Sequence, residues 1–263
     1  MTSPLPTEER APQTVPGGNL LEAVGITKHY GGVKALEDAT VTVAPGECIG
    51  IMGDNGAGKS TFVKILAGAQ PATAGTITFD GQEYTFQTPV DAREAGIETV
   101  YQDLSLADDL NVMSNLFLGR EEKVFNFGGL SVLNRKKMAK RATELLSEIG
   151  VNVPKVDSIV SGLSGGQRQG IAIARAAGWG SKLIIMDEPT AALGLQETAH
   201  VHSIIKRLKA RGVAVIIVSH NMQQVLELTD RVYVFRRGRI VGSRVTAETD
   251  SDDIVSLITG ARQ

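Results

Sequence analysis

The sequence predicts an α/β fold in which a parallel sheet is covered by helices on both faces. Two observations carry this. Short, nearly continuous apolar runs recur at residues 48–52, 183–186 and 213–218, and a run of helical spacing at 197–210 separates the last two. Strands that are apolar throughout, alternating with helices, belong to a sheet buried on both sides. Taken in order, residues 20–25 and 40–44 read as strands, and Pro45-Gly46 reads as a hairpin turn joining the second of these to 48–52. A short strand at 75–79 ends at the turn Asp80-Gly81. From residue 89 to about 162 the character becomes helical, as if a helical subdomain were inserted into the sheet domain, with a strand at 97–101. Its clearest helix is Arg135–Ile149, where Met138, Ala142, Leu145 and Ile149 share a face, Asn134 can cap and Gly150 terminates. Two more strands are expected at 232–235 and 239–242.

Composition bounds the function. The 263 residues are 42% hydrophobic and 21% charged, with 27 Lys+Arg against 29 Asp+Glu and a net charge of −2. That balance fits one domain with a subdomain and gives no electrostatic pull toward nucleic acid. The basic groups at 135–141 and in Arg236-Arg237-Gly238-Arg239 therefore read as solvated faces, the latter as a hairpin tip. The longest stretch free of polar residues is 212–218, far short of the roughly 20 needed to span a bilayer. The single cysteine, Cys48, allows no internal disulfide. No secretory signal is expected at the N-terminus. Residues 1–18 hold four of the nine prolines and read as a disordered tail, leaving 19–263 as the folded domain.

The chemistry begins at Gly53-Asp54-Asn55-Gly56-Ala57-Gly58-Lys59-Ser60, which fits G-x-x-x-x-G-K-S/T between an apolar strand and a helix carrying Thr61, Phe62, Val63, Ile65 and Leu66. Glycines let backbone N–H groups converge on phosphates, and the helix start adds positive partial charge. Lys59 can reach the β- and γ-phosphates of ATP or GTP, and the Ser60 hydroxyl can ligate Mg²⁺. The apolar run 183–186 ends in Asp187-Glu188, which would bring Asp187 to the magnesium and Glu188 to the attacking water.

Leu163-Ser164-Gly165-Gly166-Gln167, opening a helix to residue 177, resembles the signature of the ATP-binding cassette (ABC) family. The resemblance spans about residues 20–260. It implies a RecA-like P-loop core with an antiparallel β subdomain and an inserted helical subdomain. It also implies a homodimer in which ATP is sandwiched between the P-loop of one chain and Ser164, Gly165, Gly166 and Gln167 of the other. By the same resemblance Tyr30, before Gly31-Gly32, stacks on adenine. Gln102 contacts Mg²⁺ and the attacking water, and His220 contacts the γ-phosphate. Where the family has Ser-Ala-Leu-Asp after Pro-Thr, this chain has Ala191-Ala192-Leu193-Gly194, which alters contacts expected across the dimer. His29, His200 and His202 read as surface residues, and Cys48 and Trp179 as packing.

A finer resemblance lies in Ala95-Gly96-Ile97, Gln102-Asp103-Leu104-Ser105-Leu106 and the run from Asn115 to Glu121, together with the Ala-Ala-Leu-Gly segment. These look like the ATPases of ribose, xylose and fructose importers. The implied partners are a second copy of the chain, transmembrane permease subunits and, indirectly, an external solute-binding protein. The implied location is cytoplasmic, peripheral on the inner face of the cell membrane. A soluble ABC regulator or assembly factor, or an importer of another solute, fits the same motifs.

Overall fold

The computed structural model describes residues 18–127 and 130–261, so the expected tail falls, up to residue 17, outside the described residues. The central element is a six-stranded sheet built from β3 (Cys48–Gly53), β6 (Ile97–Val100), β9 (Leu183–Asp187), β10 (Ala214–Val218), β11 (Arg231–Arg236) and β12 (Arg239–Val245), in the order β12-β11-β3-β10-β9-β6. All neighbours are parallel except the β11–β12 hairpin at one edge. The second sheet is antiparallel, with β1 (Leu21–Tyr30), β2 (Val33–Val43), β4 (Ala74–Phe79) and β5 (Gln82–Tyr84) in the order β2-β1-β4-β5.

Alternate residues of the parallel strands feed two different cores, as the two-residue period of a strand requires. Ile49, Ile51, Leu183, Ile185, Ala214, Ile216 and Val218 pack on one face with Phe62, Val63, Ile65 and Leu66 of α1 (Lys59–Leu66) and with the antiparallel sheet. Cys48, Ile184, Met186, Val215 and Ile217 pack on the opposite face. There they meet α3 (Val112–Phe117), α4 (Arg135–Ile149) and α5 (Gly165–Ala177), joined by α6 (Leu195–Ala210). A third, smaller cluster unites Met52, Val225 of α7 (Met222–Leu228), Val232, Val234 and Ile254 of α8 (Ser251–Thr259).

Helix boundaries follow local chemistry. Asn134 accepts the Lys137 amide at the start of α4, and Gly150 closes it in the left-handed region at φ 85°. Thr88 and Asp91 form a reciprocal capping box at α2 (Pro89–Ala95), with Pro89 at the first turn.

Three expectations are corrected. Pro45-Gly46 does not close a hairpin between residues 40–44 and 48–52: β2 pairs with β1, and the turn carries the chain from one sheet into the other. β3 has no edge to offer β2, because β10 and β11 flank it on both sides. The first strand does not stop at Gly25. That residue sits at φ +65° where the pairing register shifts between Ala23 and Ile26, a bulge through which β1 continues to Tyr30. Within the segment read as helical, β7 (Lys123–Phe127) and β8 (Leu130–Leu133) form an antiparallel hairpin ahead of α4.

Candidate nucleotide site

Parallel neighbours end together, and their register sets the site. Val218 lies opposite Asp187 on one side and Ile51 on the other. The loops after β3, β9 and β10 thus emerge side by side at the carboxyl edge, where parallel sheets place ligands. They carry Gly53–Ser60, Asp187-Glu188 and Ser219-His220.

The phosphate loop is held by close backbone approaches. A Cβ on Gly53 would lie 2.2 Å from the Phe235 carbonyl oxygen, and the residue sits at φ +146°, so only glycine passes here. The Ala57 amide bonds the Asp54 carbonyl at 3.1 Å, and the Gly238 amide bonds the Ala57 carbonyl at 2.9 Å. Asp54, Asn55, Gly56 and Ser60 are exposed. Helix α1 has Gly58 as its N-cap, a residue with no side chain to cap with. Its first amides are therefore left to an incoming anion. Lys59 Nζ donates to the carbonyls of Gly53 (2.6 Å) and Asp54 (2.9 Å). Burial pulls its ammonium down from the ordinary lysine range, opposed by the charges of Glu188, Asp187 and Asp54.

Asp187 ends β9, and its carboxyl is raised by burial and next by the neighbouring Glu188, with Lys59 and Lys64 opposing. Glu188 stands at φ +48°, an uncommon conformation for a side-chain-bearing residue. Three contacts fix its carboxylate. Oε1 accepts the His220 amide at 3.0 Å and meets His220 Nδ1 at 2.7 Å, while Oε2 accepts the Ser219 hydroxyl at 3.2 Å. His220 itself is 79% exposed at the side chain, whereas Glu188 is 18% exposed. Gln102 is exposed two residues beyond β6, whose Val100 pairs with Met186 beside Asp187. Tyr30 is 47% exposed. Its hydroxyl donates to Gln70 Oε1 at 2.5 Å, and Gln70 Nε2 reaches the Thr61 carbonyl at 3.2 Å, which ties the aromatic to the P-loop helix.

Oxygen donors of Ser60, Gln102 and Asp187 are a hard set suited to Mg²⁺. Among the described residues no group of three His, Cys, Asp or Glu is placed to hold a metal. A cation here would be completed by phosphate oxygens and water, which is the habit of magnesium.

Ser164-Gly165-Gly166-Gln167 stands apart from this constellation, at the start of α5 on the opposite face of the sheet from α1. Ser164 and Gln167 cap each other reciprocally, at 3.3 and 3.0 Å. A cavity of about 380 Å³ opens between β6 and α5. Arg120 binds Glu98 at 2.7 Å and lies over the Trp179 ring at its wall. Arg175 holds the loop after Gln102 by donating to the Leu104 and Ser105 carbonyls at 2.9 and 2.8 Å.

Sequence reasoning missed Ser219 and Gln70, and of this groove it singled out Ile97, Ser105, Leu118 and Arg120 but not Glu98 or Arg175, because the missed residues matter through contacts distant in the chain. His202, read as a surface residue, has a side chain only 12% exposed and is paired with Glu227. Cys48 is buried, as expected.

Comparison with known proteins agrees with this fold. The family model described as ABC transporter matches residues 36–191. The chain is 43% identical over 247 residues to the fructose import ATP-binding protein of Rhizobium meliloti, covering 93% of this chain and 95% of the relative. It is 42% identical to the xylose/arabinose import ATP-binding protein of Sulfolobus acidocaldarius, covering 92% and 94%. Against the ribose import ATP-binding protein of Yersinia pestis it is 42% identical over 92% of this chain but only 46% of that one. A solved ATP-binding cassette of an ABC transporter superposes with a TM-score of 0.79 at 26% identity, covering 91% of this chain and 98% of that one. The strand-end site, the separate signature nest and these relatives place the chain in the ABC transporter family, as one of its ATP-binding cassettes.

Proposed function

We propose that the chain is the MgATP-hydrolysing subunit of an importer that brings a monosaccharide through a separate membrane permease. The observation that carries the chemistry is the convergence of Lys59, Asp187, Glu188 and His220 at three neighbouring strand ends. Its relatives named for fructose and xylose/arabinose import match almost end to end and support the cargo class.

Each residue has a task that its surroundings support. The amides of Gly53 to Thr61 and the ammonium of Lys59 bind the β- and γ-phosphates, for which Lys59 exchanges its carbonyl partners. Tyr30 offers its ring face to adenine. Ser60, Asp187 and Gln102 would hold Mg²⁺, which supplies neutralisation of charge on the phosphate oxygens. Glu188 draws the proton from the attacking water, and His220, bonded to the same carboxylate, faces the γ-phosphate. The signature nest lies across the sheet from α1, so it completes the site of a second copy of the chain rather than its own. Closing that sandwich and reopening it after hydrolysis would move the groove at Glu98, Arg120, Arg175 and Trp179, which we assign to the permease. The chain would then work from the cytoplasmic face of the membrane.

The test is recovery of the tagged chain from native membranes in mild detergent, with partners identified by mass. A multi-span permease accompanied by a sugar-binding protein is the expected result. Recovery of soluble partners alone would overturn the transport reading.

A further inference from the structure

The signature nest already carries an anion from its own chain. Glu197 stands at the third position of α6, whose N-cap is Gly194, a residue with no side chain to offer. The Glu197 carboxylate serves two helix starts at once. Oε2 accepts the Gly194 amide at 3.2 Å, and Oε1 reaches across to accept the Gly166 amide at 3.1 Å. The reciprocal cap between Ser164 and Gln167 satisfies the amides of those two residues, and between them Glu197 takes the Gly166 amide. The fit is close: a Cβ on Gly166 would lie 2.9 Å from Glu197 Cβ and 3.0 Å from its Cγ. The second glycine of the signature is thus the residue that gives the Glu197 side chain room. Its carboxyl is held below the ordinary glutamate range by the Gly166 amide first, then the Ser164 hydroxyl and the Gly194 amide, with burial opposing. Glu197 is therefore charged at neutral pH.

We propose that Glu197 is an internal gate on the signature nest, occupying the Gly166 donor until the γ-phosphate held by a second chain displaces it, and so setting the ATP concentration at which two chains close. This rests on the sandwich reading above. The physical basis is competition. Backbone amides at a helix start favour an anion. A γ-phosphate arriving at a nest that holds a carboxylate meets like charge and must take over its hydrogen bonds. The gate also reaches the catalytic strand, because Glu197 anchors the end of the short segment that leaves Glu188 through Pro189 and Gly194.

The test uses the full chain carrying Glu188→Gln, to hold ATP unhydrolysed, with and without Glu197→Gln. Sedimentation across an MgATP titration reads the midpoint of dimer formation, and nucleotide binding to the dilute monomer is measured separately. Removing the charge is expected to lower the dimerisation midpoint about three- to ten-fold, the scale of weakening one or two charge-assisted hydrogen bonds. Monomer affinity for ATP should stay unchanged. Glu197→Ala, which removes the contact altogether, should move the midpoint the same way, with thermal unfolding confirming that both variants fold. A midpoint unchanged or raised in the Gln variant overturns the gate and makes Glu197 a support for the nest. If Glu188→Gln alone stays monomeric at saturating MgATP, the sandwich reading falls and takes the gate with it.

Discussion

Replacing Glu188 by Gln separates what this residue does for the fold from what it does for the chemistry. The side chain holds three contacts: the His220 amide and Nδ1 on one oxygen, and the Ser219 hydroxyl on the other. A glutamine can keep all three. Its amide oxygen takes the place of Oε1, and its NH₂ donates to Ser219 Oγ, which then turns its proton fully to Gln224 Oε1, already 3.1 Å away. Ser219 Oγ has two lone pairs, and the Asn221 amide uses only one of them. The loss is confined to charge assistance, about 1 kcal/mol per bond. Relief of the repulsion that helps raise the Asp187 carboxyl works in the opposite direction. Net stability should fall by less than the roughly 3 kcal/mol that losing charge assistance in all three bonds would cost, a Tm loss below about 6–12 °C for a chain of this size. Hydrolysis should behave differently. An amide cannot accept the water proton, and loss of a positioned general base costs about 10²–10⁴ in rate, or about 3–5 kcal/mol of barrier. Phosphate release in single turnover and thermal unfolding are the paired measurements. Hydrolysis within a few-fold of wild type would refute the base assignment. A Tm loss much beyond the stated range would refute the rewired hydrogen bonding.

Lys59→Ala should raise the Kd for ATP about 10- to 100-fold, the worth of charged hydrogen bonds to phosphate. Its stability should hold, since burial disfavours this ammonium; equilibrium binding and urea unfolding check the two halves. Gly53→Ala drives a methyl into the Phe235 carbonyl and should cost about 3 kcal/mol in urea unfolding, with ATP binding impaired even where the chain still folds. Burial, with the Asp230 charge adding to it, pushes the Cys48 thiol up to about 12 from a reference of 9.0. Iodoacetamide at pH 8 should therefore label the native chain only as fast as it unfolds, and denatured chain readily. With the folded value above the unfolded one, the associated stability is intact below the reference value and drains away as pH rises through about 12. Rapid native labelling would refute this placement.

Legibility in the sequence tracks how tightly the chemistry restricts residue choice. Gly53 to Ser60 and Asp187-Glu188 are readable because phosphates demand glycine amides, a lysine and a strand-borne carboxylate in a fixed order. The strands at β3, β9 and β10 are readable because burial on both faces removes polar residues from them. The antiparallel edge is less readable. Gly25 imitates a strand end but is a bulge, and Pro45-Gly46 imitates a hairpin turn but joins two sheets. Which strand pairs with which is a tertiary decision that local turn chemistry does not contain. Ser219 and Glu197 were invisible for a related reason. Their partners, Glu188 and Gly166, each lie 31 residues away in the chain, with no spacing rule to link them.

The parallel sheet divides labour within the site as well as dividing the core. Helix α1, whose first amides no side chain caps, is rooted in the cluster that contains Ile49, Ile51 and Ile216. Helix α5, which carries the signature, is rooted through Ile171, Ile173 and Ala174 in the cluster on the other face. A rigid sheet separates the two anion-binding helix starts, so neither can migrate to the other without unfolding the strands between them. That separation favours pairing of two chains over self-completion. It also makes the strand tips the natural place to couple them: Glu188 and His220 lie just beyond β9 and β10, whose residues alternate between both clusters. A displacement of α5 and α6 relative to the sheet would reach Glu188 through the short segment anchored by Glu197, while the β3 loop stays pinned by Phe235 and Gly238. On the function proposed above, nucleotide binding and hydrolysis would respond separately to the same closure, because the β3 loop is fixed against Phe235 and Gly238 while Glu188 is reached through the segment that Glu197 anchors.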